Sequence, residues 1–293
     1  MVNFLTLGKM SELELVAYLQ EKGLLHRERR CAKGHAMKLT PGRSGRGPTW
    51  RCRADGCCEE CSIRKGTWFD RPRKKTPLMT AVLFMYDWCR QVSSIKNCAR
   101  ELGMTKNAVV TWNHWLRQLA TEAASADAVQ IGGEGLTVEV DETLFSRRKY
   151  NVGRLLPQQW VFGGICRETG DLFAVPVPDR SRETLLALIL KHVRPGSTVM
   201  TDQWRAYSRL SAEGFTHLTV NHSVNFVDRV TGAHTQTIES LWAQLKRSSK
   251  LRCGMRRSLL KWHLGEQVWR RRCRGQETFE RLLNDIATLY PPS

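Results

Sequence analysis

The apolar and polar positions of this chain change rhythm near its middle. Up to about residue 120 the apolar positions recur with helical spacing. Ser11-Glu12-Leu13-Glu14 has the form of a capping box, and Leu15, Val16, Leu19 and Leu24 behind it make a short amphipathic helix. Leu78, Val82, Met85, Tyr86 and Cys89 predict a helix from residue 78 to about 92. A helix over residues 94–102 then meets Gly103, and Thr105 offers an N-cap to a second helix running through Trp112, Trp115 and Leu119. Residues 121–135 are small, polar and glycine-rich at their end, which predicts a linker. Beyond them a period of two takes over. Residues 137–141 (TVEVD) alternate as a strand does and end on Asp141; residues 159–167 and 172–177 are two further strand patterns joined by the turn Glu168-Thr-Gly-Asp171.

The remaining elements follow in a telling order. Asp179 or Ser181 can cap a helix with Leu185, Leu188, Ile189 and Val193 on one face, and Pro195-Gly196 ends it. A fourth strand pattern, residues 197–202, also ends on an aspartate, Asp202. A short helix (205–212), a strand (217–221) and a helix beginning near Thr237 come next. Three strands, helix, strand, helix, strand, helix is the order of a ribonuclease-H-like domain, in which the first and fourth strands lie side by side. The expected fold class is therefore α/β. Its divisions are an N-terminal helix and zinc ribbon (1–76), a helical helix-turn-helix module (77–120), the linker (121–135) and a ribonuclease-H-like domain with basic C-terminal helices (136–293).

Charge narrows the partner. The 293 residues carry 46 Lys and Arg against 28 Asp and Glu, a formal net charge of +18. That excess favours a polyanion. No apolar run approaches the roughly 20 residues of a membrane span, and the N-terminus lacks a signal-peptide core, so nucleic acid is preferred to a membrane surface. Eleven of the basic residues fall between Lys246 and Arg274, against the single acid Glu266. With Leu260, Leu264 and Val268 as a core stripe, they are expected to form an exposed band that contacts phosphates without reading bases, including Lys246, Arg247, Lys250, Arg252, Arg256 and Arg257. Helix, glycine turn, helix over residues 94–119 is the outline whose second helix enters the major groove, which nominates Lys106, Asn107, Thr111, Asn113 and His114 as DNA contacts.

Five of the ten cysteines lie between Cys31 and Cys61. A chain of this length without an export signal is not a secreted disulfide scaffold. Cys31-Ala-Lys-Gly-His35 and Cys52-Arg-Ala-Asp-Gly-Cys57 are instead two ligand pairs on short turns, suited to one tetrahedral zinc that staples a small β-ribbon. Cys58 and Cys61 compete for the fourth position. Cys57 is preferred because residues 62–69 read as the strand and turn that close the ribbon.

Asp141 and Asp202 at two strand ends, with Glu239 early in a helix, can converge on a divalent cation. Hard cations such as Mg2+ take oxygen ligands, and a pair of them drives phosphoryl transfer. On the helix, Ile238, Leu241 and Leu245 share the stripe expected to face the sheet. Glu239, Trp242 and Lys246 share the neighbouring stripe.

Val140-Asp141-Glu142, Lys149-Tyr-Asn-Val-Gly-Arg154, Trp160-Val-Phe-Gly-Gly164, Thr201-Asp-Gln-Trp-Arg-Ala-Tyr207, Val220-Asn-His-Ser223 and His234-Thr-Gln-Thr-Ile-Glu-Ser-Leu-Trp242 resemble the Merlin superfamily of DDE transposases and related bacterial insertion-sequence transposases. The likeness reaches back to Arg64-Lys-Gly-Thr-Trp-Phe69 at the end of the ribbon. The resemblance implies that Asp141, Asp202 and Glu239 are the catalytic carboxylates and that His222, His234 and Trp242 line the site. It further implies two Mg2+ ions (Mn2+ able to substitute) beside one structural Zn2+. The implied activity is metal-dependent cleavage and strand transfer of DNA, cut-and-paste transposition, on transposon terminal inverted repeats. Implied partners are double-stranded DNA, both transposon ends and target, and a homodimer or higher oligomer, with no membrane. The compartment would be the nucleus in a eukaryote and otherwise the cytoplasm or nucleoid. Two rival readings are a transposase-derived sequence-specific DNA-binding protein and a metal-dependent DNA nuclease that does not join.

Overall fold

The structure is a computed structural model. It describes residues 2–42, 47–71, 76–126, 129–145, 159–221, 227–251 and 256–293, without the side chains of 248–251. The chain gathers into two units, residues 1–119 with 275–293, and residues 120–274.

In the first unit, Asn3 caps a short helix α1 (Phe4–Lys9) that the sequence reading did not anticipate. The capping box forms as expected: Ser11 N–H donates to Glu14 Oε2 at 2.7 Å and Glu14 N–H to Ser11 Oγ at 3.3 Å, starting α2 (Glu12–Glu21). Leu15, Val16 and Leu19 are fully buried on its inner face. The ribbon has three antiparallel strands, β1 (Met37–Thr40), β2 (Thr49–Cys52) and β3 (Glu60–Ser62). Its last strand ends at Ser62, so residues 62–69 supply a turn and a 3-10 turn (Trp68–Asp70) in place of the expected closing strand. Three helices follow, α3 (Leu78–Cys89), α4 (Ile95–Leu102) and α5 (Lys106–Ala126). Ser94 caps α4, and Gly103 ends it at φ +60, a left-handed conformation that glycine adopts without a Cβ penalty. Ala108 N–H then donates to Thr105 Oγ1 at 3.3 Å. The indole of Trp112 on α5 packs edge-on to Trp68 and donates to Thr76 Oγ1 at 3.0 Å. α5 continues to Ala126, into the stretch read as a linker.

The second unit is a mixed α/β assembly on one mixed five-stranded sheet. Its strands are β4 (Thr137–Leu144), β5 (Trp160–Cys166), β6 (Leu172–Val177), β7 (Thr198–Asp202) and β8 (Thr216–Val220), in the spatial order β6-β5-β4-β7-β8. β5 is antiparallel to β4 and β6, whereas β7 runs parallel to β4 and to β8. The first and fourth strands of the unit are therefore neighbours. α6 (Arg182–His192), capped by Ser181, buries Leu185 and Ile189 among Val138, Val140, Phe162 and Val199 on one face of the sheet. On α7 (Gln236–Leu251) Ile238, Leu241 and Leu245 are buried, as their shared stripe predicts, and this helix packs on β4 and β5. α8 (Leu260–Arg272) packs on β6. The helix expected over 205–212 is instead two 3-10 turns, Arg205–Tyr207 and Leu210–Glu213, the second ending at Gly214 with φ +84. The last helix, α9 (Thr278–Leu289), belongs to the first unit. It packs on α3, and Glu280 accepts from Lys22 Nζ at 2.6 Å.

Candidate active site

Strand pairing puts two carboxylates level. The register of β4 and β7 matches Glu139 to Met200, and two residues further on, on the same side of each strand, stand Asp141 and Asp202. Val138 and Val140 turn to the opposite, α6-covered face. α7 crosses above the first side and carries Glu239 in its first turn. From the next turn, Trp242 Nε1–H donates to Asp141 Oδ2 at 2.9 Å. The close approach of this indole depends on Gly163, the β5 partner of Asp141, where a Cβ would lie 2.7 Å from the Trp242 ring. One turn later Lys246 Nζ donates to Thr143 Oγ1. The stripe Glu239, Trp242, Lys246 thus meets the stripe Asp141, Thr143.

Burial pushes the Asp141 carboxyl up to about 6; the charges of Asp202 and Glu239 push the same way, and the Trp242 hydrogen bond opposes them. Glu142, on the other side of β4, is also raised, to about 7, chiefly by burial, and accepts a hydrogen bond from Tyr207 Oη. Carboxylates gathered with so little water are a donor set for a hard cation, because a cation relieves both the desolvation and the mutual repulsion.

The sequence reading missed Glu139. It is fully buried under the start of α7. Arg167 Nε–H donates to its Oε1 at 2.6 Å, and Ile238 N–H donates to its Oε2 at 2.9 Å. Arg167 also donates to the His234 carbonyl at 2.8 Å, so one ion pair ties β4, β5 and the N-terminal end of α7 together. A carboxylate two residues before Asp141 on the same side of an alternating strand was the available signal. His234 belongs to this clamp, its Nδ1 3.5 Å from Glu139 Oε1, and does not turn toward the three carboxylates. His222 lies outside the described residues, as do Arg252, the side chain of Lys250 and the motif over residues 149–154.

The basic residues divide. Arg247 and Arg256 are exposed. Arg257 is exposed but donates to Gln159 Oε1 at 2.5 Å. At the end of α8 the expected free band is partly tied down: Arg270 pairs with Glu266, Arg271 donates to the Gly170 carbonyl and Arg272 to the Ala124 carbonyl. Of the five α5 residues, Lys106, Asn107 and Thr111 are exposed. Asn113 spends its amide on the carbonyls of Ser93 and Val109, and His114 is half-buried, its pKa lowered by burial and then by Arg117.

A second cluster stands in the first unit. One metal-ligating atom from each of Cys31, His35, Cys52 and Cys57 lies within 4.8 Å of the others. Two short turns hold them: Gly34 N–H donates to Cys31 O with Gly34 at φ +85, and Cys57 N–H donates to Ala54 O. Glu59 accepts from Ala32 N–H at 2.8 Å and Lys33 donates to Gly56 O at 2.9 Å, which binds each turn to the other. Three sulfurs and one imidazole nitrogen are a fitting set for a metal ion such as zinc. Cys58 is exposed and Cys61 sits on β3, both outside the cluster.

Comparison with known proteins bears on these sites. The model of the ISXO2-like transposase domain matches residues 131–272. An uncharacterized transposase-like protein of Haemophilus influenzae is 31% identical over 99 residues, which are 34% of this chain and 79% of that protein. Among solved structures, a chain of the simian T-cell lymphotropic virus intasome in complex with the PP2A regulatory subunit B56 gamma matches at 14% identity and TM-score 0.31. The match covers 46% of this chain and 49% of that one, about half its length, and a likeness of that size carries no argument.

Proposed function

The chain belongs to a transposase family, that of the ISXO2-like transposase domain, and from that premise we propose that it is a DNA transposase acting through Asp141, Asp202 and Glu239. The observation that carries this reading is the meeting of those three acids at the ends of β4 and β7, with the Asp141 carboxyl raised by burial and by the other two charges. The strand order β6-β5-β4-β7-β8, antiparallel then parallel, supports a ribonuclease-H-like fold for this unit. The finer likeness to the Merlin superfamily rests on the motifs around the three acids.

In this proposal Asp141 and Asp202 hold Mg2+ or Mn2+, and Glu239 completes the set. The bound ions supply Lewis-acid activation of the attacking hydroxyl and stabilisation of the leaving 3′ oxygen. The chain's own groups position the rest. The Trp242 indole fixes one Asp141 oxygen, and Lys246 carries a positive charge beside Thr143 where a phosphate can be neutralised. Water attacks phosphorus first and the freed 3′-hydroxyl later attacks the target strand, one P–O bond forming as another breaks. No enzyme side chain becomes bonded to DNA.

Recognition of terminal repeats is assigned to α4 and α5 as a helix-turn-helix, with Lys106, Asn107 and Thr111 outward, and to the zinc-stapled ribbon. Arg247, Arg256 and Arg257 then contact backbone phosphates. Pairing of two DNA ends calls for a homodimer or larger assembly. Among the described residues no helix is long and apolar enough to cross a membrane, consistent with a partner in the nucleus or nucleoid.

The test is Mg2+- or Mn2+-dependent cleavage and joining of a duplex bearing the native element's terminal repeat, wild type beside Glu239→Gln. Joined product from wild type alone, with end binding retained in the variant, is the expected result. Tight binding without a cut in either metal would make this a DNA-binding protein, and cutting without joining would make it a nuclease. A Glu239→Gln chain that cuts at the wild-type rate removes Glu239 from the site.

A further inference from the structure

Beside the three carboxylates stands an aromatic group for which the reaction so far described has no use. Trp204, two residues beyond Asp202, is 43% exposed, unusual for the largest apolar side chain. It is nevertheless held. Its backbone N–H donates to Asp202 Oδ1 at 2.9 Å, and its indole Nε1–H donates to the Arg180 carbonyl at 3.4 Å. The Arg180 guanidinium lies 4.9 Å from the centre of the Trp204 ring and 4.1 Å from that of Trp160, so the cation is layered between two indoles. Trp160 in turn packs against the buried core of the sheet. The Trp204 ring is thus propped from one side by a chain of contacts reaching into the core, and the rest of its surface is open to solvent.

Two residues of chain span at most about 7 Å, so whatever lies at the Asp202 carboxylate has its neighbouring groups within reach of this ring. Nothing on Trp204 reads a hydrogen-bond pattern from a ligand, because its one polar atom is already spent on Arg180. A flat, apolar, rigid ring with an open face beside a phosphate site suits a flat π-system carried on that phosphate. We propose that Trp204 is a stacking platform for an unpaired nucleobase next to the scissile phosphate, with Arg180 and Trp160 as its support. The inference rests on the reading of Asp141, Asp202 and Glu239 as the cutting site and adds a substrate requirement to it. One base at the cut leaves the duplex stack and lies on Trp204, which offsets part of the cost of unstacking it. Such stacking tolerates any base, so the platform favours distorted DNA at the cut without choosing a sequence.

The experiment uses the full chain and duplexes carrying the native element's terminal repeat, intact or with a single abasic nucleotide at each position flanking the cut. Wild type, Trp204→Ala and Trp204→Phe are compared for Mg2+-dependent cleavage rate, for end binding by fluorescence anisotropy and for thermal melting. Trp204→Ala is expected to slow cleavage of the intact duplex by roughly tenfold while binding and melting stay at wild-type values. Trp204→Phe should retain most of the rate. At one flanking position the abasic duplex should bring Trp204→Ala back toward wild type, since there is no longer a base to hold. A Trp204→Ala chain that cuts the intact duplex at the wild-type rate, or a defect that no abasic position relieves, overturns the platform and leaves the cutting site standing. If wild type cuts none of the duplexes, the cutting-site reading fails and this inference falls with it.

Discussion

The clamp beneath α7 allows a quantitative test. Replacing Arg167 with Met leaves the Glu139 carboxylate fully buried with the Ile238 N–H as its remaining close donor. Removing one partner of a buried ion pair costs about 3–5 kcal/mol, because the other charge stays behind in a poor solvent. The Arg167 side chain is itself 22% exposed, which favours the lower end, about 3 kcal/mol. Glu139→Gln alone should cost less, about 1–2 kcal/mol, since the amide oxygen can still accept from Ile238 and the freed guanidinium keeps the His234 carbonyl and some water. The informative chain is the double variant. With Glu139→Gln in place there is no lone charge to strand, so Glu139→Gln/Arg167→Met should be more stable than Arg167→Met by at least about 1 kcal/mol. The assay is urea unfolding read by amide exchange in peptides from β4 and β5, the strands that bear the pair. At about 2 kcal/mol per molar urea, Arg167→Met should lower the midpoint by about 1.5 M. A double variant less stable than Arg167→Met, or a single variant within about 0.5 kcal/mol of wild type, would refute the argument. Because Ile238 adjoins Glu239, loosening the clamp should also slow cleavage more than it weakens DNA binding.

Further outcomes follow from the two clusters. Elemental analysis should find about one zinc per chain, and Cys52→Ser or chelation should unfold β1–β3, seen as lost amide protection between Cys31 and Ser62 with β4 and β5 still protected; a metal-free chain with the ribbon fully protected would refute it. The Asp141 carboxyl, raised from 3.8 to about 6, binds its proton more tightly in the folded chain than in the unfolded one. The cost of its charge is therefore fully present above pH 6 and is relieved as the pH falls toward 4. In buffer free of divalent cations but with no chelator, Asp141→Asn should stabilise the chain at pH 7.5 by about 2–3 kcal/mol, an advantage that shrinks as the pH falls to 4. Equal stability of the two chains at pH 7.5 would show that Asp141 is better solvated than its surroundings indicate.

Much of the architecture was legible in one dimension because it rests on short-range chemistry. The Ser11–Glu14 box, the Ser94 and Ser181 caps and Gly103 at its left-handed φ involve groups within a turn of one another, so residue type and spacing suffice to place them. The alternation in residues 137–141 set which side of β4 would carry Asp141, and the paired stripes of α7 set Ile238, Leu241 and Leu245 inward. The four metal-ligating residues were readable for the same reason, two knuckles each closed by a local turn. What pairs distant residues was not. Whether residues 205–212 coil as an α-helix or as two 3-10 turns depends on how tightly β7 must pass to β8. That α9 returns to the first unit depends on a partner for Glu280 some 260 residues earlier, at Lys22. Glu139, a buried acid holding the start of α7, and the layering of Trp160, Arg180 and Trp204 arise only when β4, β5 and the turns after β7 are brought together. By itself the sequence determined the elements, their faces and the donors for both metal sites, since periodicity and capping are local. Only the tertiary structure decided which charges would be stranded from water and which aromatic ring would stay in it, since desolvation depends on every neighbour in space and on none in particular along the chain.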